Sequence, residues 1–232
     1  SLKMRNFSLG LNNFHLDSVA HLKTEKLFFS DSLGLKIHDG YFSYRTANHE
    51  VLFGHLDVSS AHGNIVIKDL KIEQDTSRFL NDTLSWFLVN VDEVKLIGLD
   101  YYKILESDGL FLKQIEISNP EFTYKPKLHN TKTTIPEKDV RNIIYNSFTD
   151  YFEPVDIGVI NLTHGKVHFP GKVTAGIDNL IIPDFNITVQ HFLADSVSFA
   201  QRKQFYFIDD LKFESNNQQL DFITSGINAS YT

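Results

Sequence analysis

Apolar and polar residues alternate along most of this chain. Leu33, Leu35 and Ile37 keep one phase, and Ile115, Ile117 and Phe122 do so around a break at Pro120. Leu9, Leu11 and later Leu16 open the pattern, and Phe205, Phe207, Leu211 and Phe213 close it. A period of two places one set of side chains on a single face of a strand. The dipeptides Asp39-Gly40, His62-Gly63, Asp108-Gly109, His164-Gly165 and Asn216-Asn217 read as turns between such strands. Short links of this kind predict antiparallel neighbours in a meander.

Four stretches depart from strand periodicity. From Glu137 to Phe152, apolar residues recur at three- and four-residue spacing behind Pro136, and Pro154 ends the run, so a helix is expected there. Ser77 to Val89 is a weaker helical candidate through Phe79, Leu80, Leu84 and Phe87, and one helical turn is expected around Tyr101 to Leu105. The polar stretch from Lys125 to Lys138 reads as an exposed loop.

A repeat organises the whole. Phe7, Phe14 and the triplet Asp17-Ser18-Val19 return 178 residues later as Phe185, Phe192 and Asp195-Ser196-Val197. Phe29, Asp31 and Leu33 return at the same offset as Phe207, Asp209 and Leu211. Strand patterning alone would repeat the apolar positions but not the triplet. The expected organisation is a first β module over 1–128, a loop and amphipathic helix over 129–154, and a second, truncated module over 155–232. The fold class is therefore mainly β: elongated, curved antiparallel meander sheet with one or two short amphipathic helices.

Composition narrows the class of protein. Twenty Phe and nine Tyr against one Met and one Trp favour pleated surfaces, where rings pack well. The 232 residues are 42% hydrophobic, enough to form a core. A net charge of −7 without a Lys/Arg stripe argues against nucleic acid and anionic membrane surfaces as direct partners. The absence of cysteine excludes disulfides, thiol catalysis and zinc ribbons. No apolar run approaches the ~20 residues that a spanning helix needs. The start at Ser1, already inside a strand-like pattern, suggests a piece of something longer.

The chain carries little that reads as chemistry. His164 and His168 would share a helix face, but their surroundings predict a strand, where four residues span ~13 Å. His49, His55 and His62 fall in different phases without a carboxylate cluster. No nucleophile elbow, phosphate loop or dinucleotide fingerprint occurs. Asp92-Glu93 and Asp209-Asp210 read as carboxylates at strand ends. No enzyme, metal or cofactor is expected. The apolar alternation itself suggests a surface for acyl chains, lined by Phe7, Phe14, Phe29, Phe205, Phe207 and Phe213. The plainer alternative is a closed sandwich in which these residues form an ordinary core.

Two stretches carry a resemblance. One runs from Val91 through Gly98-Leu99-Asp100-Tyr101-Tyr102 and Leu112 to Asn119-Pro120-Glu121-Phe122-Thr123-Tyr124; the other runs from Tyr151-Phe152 to Phe169. Both resemble AsmA-like bacterial envelope proteins, particularly large Bacteroidetes-type members. There a strand leads into a short helix, then a strand ending in Asn-Pro, then an aromatic strand. The resemblance implies a periplasmic β-groove, an inner-membrane anchor outside this chain, and a role in phospholipid movement or outer-membrane biogenesis. It supplies no catalytic residues. The competing expectation is an extracellular β-sandwich module that binds a glycan or a protein partner.

Overall fold

The computed structural model describes residues 2–15, 30–44, 49–74, 86–101, 103–104, 109–125, 152–174, 177–196 and 207–215. Ten strands account for most of them: β1 (Leu2–Asn12), β2 (Ser32–Tyr44), β3 (His49–Ser59), β4 (Asn64–Gln74), β5 (Trp86–Ile97), β6 (Leu110–Ser118), β7 (Glu121–Lys125), β8 (Val155–Thr174), β9 (Ile177–Ala194) and β10 (Phe207–Ser215). All belong to one sheet, in the order β1-β2-β3-β4-β5-β6-β8-β9-β10, with β7 between β5 and β8. The two-sheet packing of a sandwich is absent among the described residues.

The mainly β expectation holds, with corrections inside it. β6 and β7 pair with β8 in parallel, not antiparallel. The meander is interrupted there, since a parallel pairing requires the connection from β7 to β8 to return to the same end of the sheet. This pairing also joins the modules expected at 1–128 and 155–232 edge to edge. The helix expected over Glu137–Phe152 lies almost wholly outside the described residues. Of the Ser77–Val89 candidate, Trp86 to Val89 belong to β5, where Phe87 pairs with Tyr124 and Val89 with Phe122. The helical turn near Tyr101 is present: Ile104 N–H donates to Asp100 C=O at 3.1 Å, and Asp100 Oδ1 accepts from Lys103 N–H at 3.1 Å as a cap.

The larger correction concerns the turn dipeptides. Of them, His62-Gly63 sits in a described reversal, between β3 and β4. Asp39-Gly40 lies in the middle of β2, and His164-Gly165 in the middle of the 20-residue β8. Asp39, Asp69, His164 and His191 all sit within strands at positive φ, between 52° and 55°. These residue types tolerate the left-handed region, and here they shift the pleat instead of reversing the chain.

The shift has a measurable consequence. Regular alternation puts residues three apart on opposite faces. Here Ile157 and Ile160, three apart around Gly158, pack against the same cluster, as do Leu112 and Ile115. Across the ladder from Gly158, His191 separates Val189 from Phe192. At Asp39 and His191 the ladder skips a pair and resumes in the same register, as between Asn6–His38 and Met4–Gly40, whereas at His164 the register with β9 shifts between Leu162–Ile187 and Gly165–Phe185. Long strands thereby keep one apolar face although their sequence changes phase.

The repeat is visible in the pairing itself. The pairs Leu11–Leu33 and Leu9–Leu35 in β1–β2 become Val189–Leu211 and Ile187–Phe213 in β9–β10, each 178 residues on. Asn13 (φ 51°) donates from Nδ2 to Asp31 Oδ2 at 2.8 Å; its counterpart His191 (φ 52°) holds Nδ1 3.1 Å from Asp209 Oδ2. The sequence match therefore preserves both register and the left-handed residue.

Candidate functional site

Apolar residues line up from one edge of the sheet to the other. One row starts at Phe7 and passes through Ile37, Leu56 and Ile67. It continues through Val94 and Ile117 to Leu162, then Ile187 and Phe213. A second row starts at Leu9 and Leu35 and ends at Val189 and Leu211. No polar side chain occupies either row. Directly opposed residues are near enough to touch, so each row is a continuous apolar strip.

The strip is unevenly covered. Beside the two rows, around β6, β8 and β9, the apolar face is closed: Val155 is 2% and Ile157 5% exposed, packed with Leu99, Leu112 and Ala194 under the Tyr101–Ile104 turn. At the two edges it is open. Phe7 is 61% and Phe213 51% exposed, with Leu9 and Leu211 similarly bare beside them. Phe213 stacks on Phe185 with ring centroids 5.6 Å apart, and Phe185 leans over Gly165, where a Cβ would stand 2.6 Å from the ring. Gly165 thus keeps the aromatic flat against the sheet.

The other face of the same strands is charged. Lys95 Nζ lies 2.7 Å from Glu93 Oε1, Lys68 Nζ 3.3 Å from Glu93 Oε2, and Lys36 Nζ 3.3 Å from Asp57 Oδ2. The hydrogen bond from Lys95 holds the Glu93 carboxyl below its ordinary value despite partial burial, and Glu93 raises Lys95 in return. Lys166 is also raised, chiefly by its 2.8 Å bond to Glu121. Asp92-Glu93 lies within β5 rather than at a strand end, and both carboxylates are partnered: Asp92 accepts from Asn119 Nδ2 at 2.8 Å. Asp209-Asp210 likewise lies within β10.

The aromatic residues expected to line an acyl-chain surface divide. Phe7 and Phe213 lie at opposite ends of one apolar row, and Phe14 follows β1 and is exposed. Phe207 pairs with Leu193 at the start of β10. Phe29 and Phe205 lie outside the described residues. As lining residues, sequence reasoning missed Leu9 and Leu211, which are about as bare as the rings, and the somewhat less exposed Leu11 and Met4. Aliphatic residues at the same phase were the available signal.

Among the described residues, no group of three or more metal-ligating side chains converges. His164 and His168 both lie in β8, and His164 Nδ1 is 3.3 Å from Asp184 Oδ1. Tyr101 Oη is buried without a hydrogen-bond partner among the described residues, and burial raises the phenol. No described helix is long and apolar enough to cross a membrane. The class defined here is a single-sheet β protein with one apolar and one charged face. No protein-family model matches the chain, and no curated protein sequence matches it.

Proposed function

We propose that the chain is a non-catalytic lipid-handling segment of an AsmA-like envelope protein, lying in the periplasm and anchored to the inner membrane through a part outside this chain. The carrying observation is the apolar strip that runs unbroken across nine strands and ends in bare Phe7 and Phe213. At ~4.8 Å per strand the strip is ~38 Å long. It offers no convergent polar group to fix a head group, which suits a surface that shelters acyl chains and lets them slide. Each methylene kept from water is worth ~0.8 kcal/mol, so even partial shelter lowers the cost of moving a phospholipid between membranes. Charged partners on the reverse face keep that side in water.

Native mass spectrometry of the chain purified from bacterial membranes tests the reading. Phospholipid adducts are expected on the wild-type chain and should fall away in a Phe7→Asp/Phe213→Asp variant that retains its strand circular dichroism. A wild-type chain without any lipid adduct overturns it.

A further inference from the structure

The charged face carries one pairing that a lipid surface on the other side does not explain. His38 in β2 and His55 in β3 oppose each other directly in the ladder. Their Nδ1 atoms are 3.2 Å apart, with ring centroids 4.5 Å apart and planes tilted by 56°. We propose that His38 and His55 form a two-imidazole site for a divalent transition cation such as Zn²⁺, with water completing the shell.

The geometry supplies the argument. Two nitrogens bound at ~2.0–2.1 Å to a tetrahedral cation stand ~3.3–3.4 Å apart, close to the separation found here. Imidazole suits zinc, copper and nickel, whereas magnesium and calcium prefer oxygen. His38 is exposed and His55 half-buried, so a hydrated cation can reach the pair. They are also held in place. Ile37 and Leu56 form the next ladder pair, with Ile37 only 7% exposed, and this fixes the register beneath the histidines.

The neighbouring charges are already matched. Lys68 opposes His55 on its far side, but its Nζ is drawn towards Glu93. Two residues along, Lys36 is paired with Asp57. Asn6 opposes His38 from β1. The ammonium groups of Lys36 and Lys68 beside the imidazoles are thus already matched by carboxylates. The sequence hid this pair because its members are 17 residues apart in the chain; a hairpin register brings them together.

Isothermal titration of the 232-residue chain with zinc chloride tests the site. One saturable cation per chain is expected, weakened by about tenfold or more in His38→Gln and in His55→Gln, since even losing an outer-shell partner costs that much. Electron paramagnetic resonance of the unmutated chain loaded with Cu²⁺ should show coupling to two imidazole nitrogens. No saturable zinc binding, undiminished binding in both variants, or a copper spectrum with fewer than two nitrogens overturns the proposal. None of these outcomes depends on whether the opposite face carries lipid.

Discussion

The closed part and the margins of the apolar face are built from the same kinds of residue in neighbouring ladder rows, yet they differ in kind. Val155 and Ile157 in β8 are sealed by neighbours on β6 and β9 and by the turn after β5. Phe7 in β1 and Phe213 in β10 end a neighbouring row and stay half to two-thirds bare. Hydrophobicity alone therefore does not separate core from contact surface. Position relative to covering elements does, and the repeat makes the point directly: Phe7 is exposed while Phe185, its counterpart 178 residues on, is buried against β8 and β10. A free apolar residue at a sheet margin is available for another molecule.

The sharpest way to break this comparison is to truncate the middle. Ile157→Ala should lower the unfolding free energy by about 2–5 kcal/mol in urea denaturation, as expected for an enclosed aliphatic side chain. A change below ~1 kcal/mol would mean that the middle is as open as the margins. Tyr101→Phe should be neutral or stabilise by up to about 1 kcal/mol, because it removes a buried hydroxyl without a partner; a clear loss in thermal melts would reveal a partner for that hydroxyl. At the margin, Phe7→Ser should stay within about 0.5 kcal/mol of wild type, the range of an exposed position. A large loss there would place Phe7 in a core.

The smallest effect belongs to the reverse face. Folding depresses the Glu93 carboxyl, so the unfolded chain binds more protons through the ordinary carboxylate range. Its contribution is present above the unfolded value and lost as pH falls through the folded one. Glu93→Gln should therefore flatten slightly the acid side of a stability-versus-pH curve, measured by chemical denaturation. An unchanged acid limb would assign the acid sensitivity to other carboxylates.

Much of this was legible in the sequence, and the failures share one cause. Alternation gave the strand character, and the 178-residue offset gave the equivalence of β1–β2 with β9–β10. The expectation of turns at Asp39-Gly40 and His164-Gly165 failed because a left-handed Asp or His before Gly marks either a reversal or a pleat shift. Local sequence does not tell the two apart; what decides is whether the neighbouring strand continues past the site, as β3 does beside Asp39. The same ambiguity concealed the apolar rows. Val189 and Phe192 look out of phase until the shift between them is known. Lateral relations such as His38–His55 or Asp92–Asn119 depend on register across strands, which periodicity along one strand does not contain.

The preserved pairing of the repeat turns length into a stepwise quantity. From β1 to its counterpart β9 the sheet advances seven strand positions, ~34 Å at ~4.8 Å each. A protein that reiterates this unit can enlarge its water-excluding surface only in steps of that pitch. Its reach across any gap is then set by a whole number of units, as the span of a bridge is set by its count of identical sections.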